Sequence, residues 1–180
     1  MQELTYSLRF SVEEMCSKMG MTLPGCSLNL PSGSLMRMLN TNADELSKSV
    51  ANFCQSFSAA FGNLSAYPYE NGWCFVFTAQ AVNAIMHRPI GGYFLQATCA
   101  LSANHHATAD QWKSIFSQFG ECVLQKTNDA EYDWLLYYPS GQPVNFVYCL
   151  KQEGSHISAH RLARLEFEQL SGIQLCHKES

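Results

Sequence analysis

The hydrophobic pattern predicts alternating helices and strands. Leu4 to Phe10 alternates weakly and suggests an edge strand. Ser11-Val12-Glu13-Glu14 then has the form of a capping box, with Phe10 and Met15 spaced as a hydrophobic staple. Val12, Met15 and Met19 share a helical face that Gly20 ends. Residues 21–33 carry Pro24, Gly25, Pro31 and Gly33 and suggest a connector. Leu46, Val50, Phe53, Phe57 and Phe61 form one stripe, and Gly62 closes it. A helix with so aromatic a face must pack on something large, and the downstream sheet is the natural partner.

Residues 63–72 suggest a loop, 73–78 a strand and 79–86 a helix. The apolar run 93–101 predicts a long strand. Thr108-Ala109-Asp110-Gln111 is a second capping box, followed by Trp112, Ile115, Phe116 and Phe119 at helical spacing. Three strands are expected at 121–127, 132–138 and 144–150. The middle one is apolar on both faces, since Trp134, Leu136 and Tyr138 alternate with Leu135 and Tyr137. That makes it central or partnered. Glu153-Gly154-Ser155 is a turn, and Ser158 caps an expected last helix, ended by Gly172. The resulting fold class is α+β: a mainly antiparallel sheet of about five strands packed with helices. A single domain at 42–180 is expected, preceded by a helical N-terminal segment at 1–41.

Composition narrows the function classes. Hydrophobic residues are 47% and charged residues 14% of the 180, which predicts a globular chain. The net charge of −4 and the lack of a basic stripe argue against nucleic acid as partner. No apolar run nears the ~20 residues of a membrane span. No basic stretch precedes an apolar one at the N-terminus, so no signal peptide is expected. Eight scattered cysteines without Cys-x-x-Cys fit buried thiols in a reducing cytoplasm and argue against a zinc site. No cofactor motif occurs.

Few residues point to chemistry. Cys74 lies in Asn71-Gly72-Trp73-Cys74-Phe75-Val76-Phe77-Thr78-Ala79-Gln80-Ala81. This stretch resembles the nucleophile region of papain-like cysteine peptidases, where a Cys opens a helix. The resemblance implies a thiol hydrolase with Cys74 as nucleophile and His156 or His106 as base, because a helix N-terminus favours the thiolate. The position where that family places an oxyanion-hole Gln is Pro68 here. His105 and His106 form a loop pair before a helix cap. His156 and His160 are placed to share a helix face, but the Glu of the zinc-binding His-Glu-x-x-His pattern is replaced by Ile157. No metal is expected.

The order helix, strands, helix, strands, helix over residues 42–171 is similar to that of class I type III secretion chaperones. That likeness implies a small acidic cytosolic homodimer holding an unfolded segment of another protein. Strands apolar on both faces lead to the same expectation, since such surface must be closed by dimerisation or by a bound peptide. The expected function is therefore a non-enzymatic protein-binding module, chaperone- or adaptor-like. The alternatives are the thiol hydrolase and an immunity-type inhibitor.

Overall fold

The computed structural model describes residues 1–104 and 106–176. It is an α+β protein with seven helices and two antiparallel sheets among the described residues. The chain divides into two compact units, Met1–Ile90 and Gly91–Ser180. The boundary expected at 41/42 falls inside the first unit. Among the described residues seven strands lie in two sheets of three and four, where one sheet of about five was expected.

The first unit runs α1 (Gln2–Met19), β1 (Gly25–Pro31), α2 (Ser32–Leu39), α3 (Leu46–Phe61), β2 (Leu64–Tyr69), β3 (Gly72–Thr78) and α4 (Ala79–Met86). The strands lie in the order β1-β3-β2. Residues 4–10, expected as a strand, belong to α1. Leu4, Leu8, Val12 and Cys16 fall four apart and are all buried in one core. That stripe outweighs the capping box, and Ser11 sits inside the helix. Gly20 stops it in the left-handed conformation at φ 66, its N–H donating to Cys16 and Ser17.

The phenylalanines of α3 pack on the sheet, as their stripe implied. Phe53 meets Phe75 edge-on at 6.1 Å, and Phe57 meets Phe77 at 5.8 Å. Each buried ring contributes roughly 1.5–3 kcal/mol by leaving water. Leu35, Met38, Val82 and Ile85 complete the same core. Residues 1–41 are thus built into this unit and are not an appendage to it. The expected connector holds β1, and the expected loop holds β2.

The second unit runs α5 (Gly92–Ser102), α6 (Ala109–Ser117), β4 (Val123–Lys126), β5 (Trp134–Tyr137), β6 (Phe146–Glu153), β7 (His156–Ala163) and α7 (Arg164–Ser171). Its sheet is a meander in the order β4-β5-β6-β7. The run 93–101 is a helix, not the expected strand. Phe94, Leu95 and Thr98 are its buried positions, and the Thr98 hydroxyl donates to the carbonyls of Phe94 and Leu95 one turn back, at 3.0 and 3.2 Å. The helix α6 carries the expected capping box of Thr108 and Gln111.

β5 is central, and both of its faces are covered within the unit. On one side the rings of Phe94, Trp112 and Phe116 meet Tyr138 and Tyr148 at 5.0–6.1 Å. On the other, Leu135, Tyr137, Val147 and Cys149 form a core with Phe167 and Leu175. The apolar surface of β5 that was expected to require a partner is buried within the unit at Leu135, Leu136, Tyr137 and Tyr138.

The helix expected from Ser158 begins six residues later, at Arg164. Residues 156–163 instead pair with β6 over eight positions, from Glu153↔His156 to Phe146↔Ala163. Gly154, at φ 63, lets the chain reverse in the two residues between the strands. Arg164 is buried and ties the unit's end together. Its guanidinium donates to the carbonyls of Tyr138, Pro139 and Cys176 at 3.2, 3.1 and 2.8 Å, and its Nε lies 3.4 Å from Glu168.

Candidate interaction surface

The first sheet has one face on the helical core and one face open. The alternation of strand side chains assigns residues to each. Leu28 and Leu30 of β1, Phe75 and Phe77 of β3, and Leu64 and Ala66 of β2 face the core. The open face holds the cross-strand rows Ser27–Val76–Ser65, Asn29–Cys74–Tyr67 and Pro31–Gly72–Tyr69. Tyr67 is 49% and Tyr69 45% exposed, although both are large and aromatic. Cross-strand from Tyr69, Gly72 offers no side chain, so Tyr69 and Pro31 flank a shallow depression of about 170 Å³ at the hairpin end.

The hairpin is fixed from below. Its turn residue Glu70 sits at φ 51, and the Ser32 amide donates to the Asn71 carbonyl at 3.1 Å, tying the turn to the start of α2. The Tyr67 phenol is held above its usual range, first by its hydrogen bond to Cys74 and then by the charge of that thiol. Among the described residues that line the depression, Glu70 is the charged one. Tyrosine is enriched in protein interfaces, and charged groups are depleted at their centres.

Cys74, singled out as a nucleophile, lacks the helix-start setting that the resemblance implied. Cys74 is 5% exposed and stands mid-strand in β3, paired with Asn29 and Tyr67, not at a helix start. The helix that follows begins only at Ala79, capped by Thr78. His87 is the histidine of the first unit, and its Nδ1 lies 2.7 Å from the Asn83 carbonyl, at the end of α4. His106 and His156 belong to the second unit. His106 is exposed in the turn before α6, its amide bonded to the Asn104 side chain at 3.0 Å. His156 opens β7 and pairs with Glu153 at 3.4 Å.

His156 and His160 were expected one helical turn apart. On a strand they stand four residues apart, about 13 Å at ~3.3 Å per residue, too far to share an ion. His105 lies outside the described residues. Among the described residues no three His, Cys, Asp or Glu side chains are placed to hold a metal, and no helix is long and apolar enough to cross a membrane.

A family model described as "Domain of unknown function, E. rectale Gene description (DUF3877)" matches residues 1–171. The chain belongs to the DUF3877 family. No curated protein and no solved structure matches it. The DUF3877 match extends over both compact units.

The tyrosine surface was hidden in the sequence because residues 63–72 look like a loop. The alternation of Leu64 and Ala66 with Ser65, Tyr67 and Tyr69 is a strand signal, but Pro68 and the Asn63 and Asn71-Gly72 flanks mask it.

Proposed function

We propose that this chain is a non-enzymatic protein-binding module, chaperone- or adaptor-like, that holds a partner polypeptide on the open face of its first sheet. The observation that carries this reading is the pair Tyr67 and Tyr69, half exposed and side by side on a rigid strand, beside a depression with a single charge. Rigid tyrosines lose little conformational freedom on binding and bury much area, which is why they serve as anchors. The eight free cysteines fit a reducing cytoplasm. A homodimer belongs to the same reading, and sedimentation equilibrium measures it.

The test is an array of extended, aromatic-rich peptides probed with the wild type and with the Tyr67→Ser/Tyr69→Ser double variant. The wild type retains a subset of peptides, and the variant loses them by about tenfold or more, as expected for anchor tyrosines. Equal retention by both proteins, or none by either, rejects the proposal.

A further inference from the structure

A second feature of the first unit, sharing no residue with the tyrosine surface, is a groove between α1 and α3. Its volume is about 470 Å³, within the range of roughly 300–1,000 Å³ typical of small-molecule sites. The groove exists because α3 places small residues where a helix neighbour would need large ones. Ser56 and Ala60, one turn apart, are exposed there, between the buried Phe53 and Phe57 below and Phe61 at the far end. From α1, Thr5, Tyr6 and Arg9 recur at helical spacing along the facing wall.

The groove has a head and a tail. Arg9 is the sole charged side chain among the described residues that line it, and the Met1 ammonium borders it too. Its guanidinium lies over the Phe61 ring, 4.7 Å from the centroid, and donates to the Arg88 carbonyl. Those two contacts hold the cation in place, while its Nε is buried without a hydrogen-bond partner among the described residues. The other side chains of the wall are aromatic, aliphatic or neutral. A fixed guanidinium at one end of a largely apolar channel is complementary to an amphiphile with one anionic end, and the Met1 ammonium, eight residues earlier, already donates to the Met38 carbonyl. The polar side chains along the groove are Gln2, Thr5, Tyr6 and Ser56 beside Arg9, few for the polar rim that a partner helix would bring.

We infer that the α1–α3 groove binds an apolar monocarboxylate, its carboxylate on Arg9 and its tail along Phe57, Ala60 and Tyr6. The span from Gln2 to Arg9 is about 10 Å at 1.5 Å per helical residue, which suits a chain of about ten carbons.

Isothermal titration calorimetry with decanoate tests this on the full chain. Saturable one-to-one binding is expected, with decanol weaker by at least about tenfold, the loss that follows from removing a charge-assisted hydrogen bond. Arg9→Gln weakens decanoate by a similar factor and Arg9→Lys by less, since the charge is kept. Because Arg9 also supports the Arg88 carbonyl, a second variant is needed that leaves that contact intact. Ala60→Phe fills the channel from an exposed position and abolishes binding, with the circular dichroism melt unchanged. No saturable decanoate binding, equal affinity for decanol, or unchanged affinity in Ala60→Phe overturns the inference. So does an acidic amphipathic helical peptide that occupies the groove in preference to decanoate.

Discussion

Truncating Phe94 gives the sharpest test of the second unit. In α5 this ring is 2% exposed and meets four others edge-on: Phe116 at 5.0 Å, Phe119 at 5.4 Å, and Tyr138 and Tyr148 at 6.1 Å. A buried Phe→Ala change costs about 3–5 kcal/mol through lost transfer energy and the cavity it leaves. Edge-to-face pairs add about 0.5–1.5 kcal/mol each beyond burial, although losses that share one cavity do not sum. Phe94→Ala is therefore expected to cost about 4 kcal/mol. Tyr93, its neighbour in the chain, is 81% exposed, and Tyr93→Ala is expected to stay within about 0.5 kcal/mol of the wild type.

Urea unfolding read by tryptophan fluorescence resolves the two. Trp73 lies in the first unit and Trp112 and Trp134 in the second, so a Trp73→Phe background confines the signal to the second. With a slope of about 1–2 kcal/mol/M, the Phe94→Ala midpoint falls by roughly 2–4 M; the loss is a large part of an ordinary stability of about 5–15 kcal/mol. A Phe94→Ala midpoint as close to wild type as that of Tyr93→Ala would refute the packing of α5 described above.

Three further outcomes are expected. Gly72→Ala sets a Cβ 2.1 Å from the Leu30 carbonyl oxygen, a backbone atom that cannot step aside, so about 3 kcal/mol is lost; Gly154→Ala, with open space around it and φ 63, costs nearer 1 kcal/mol, and urea midpoints compare them. Arg164→Met strips three carbonyls and Glu168 of their partner, and a loss of about 3 kcal/mol is expected in the same assay. Burial, with a smaller contribution from the charge of Asp129, lifts the Cys149 thiol from its ordinary 9.0 to about 12. The folded state thus keeps a proton that the unfolded chain releases, so the stability from this group is full below about pH 9 and is lost as the pH climbs towards 12. Urea midpoints should fall over that window, and less steeply in Cys149→Ala.

Elements were legible where one signal was unambiguous and missed where an apolar run carried no boundary or period. The stripe of α3 matches a single helical period, Thr108 and Gln111 a capping box, and the strands around Trp73, Leu135 and Val147 short apolar runs between turn residues, and the structure has them. The run 93–101 is apolar nearly all round, although Phe94, Leu95 and Thr98 are the buried positions of α5 and Tyr93 is 81% exposed, so neither a 3.6 nor a 2.0 period stands out in the sequence. For β7 the decisive signal was the turn. With Gly154 and Ser155 as a two-residue link, the chain after β6 is obliged to return as its antiparallel neighbour, and Ser158 cannot act as a cap. The candidate site was the least visible part. Tyr67 and Tyr69 look like loop residues until Pro68 is placed on a sheet edge.

That proline has one more effect. β2 is the outer strand of its sheet, and an outer strand displaying two tyrosines is the kind of template on which copies stack into fibrils. Pro68 has no amide hydrogen with which to recruit another strand, so the rings stand beside an edge that cannot propagate. Replacing it with valine would remove that safeguard against self-assembly without touching either ring.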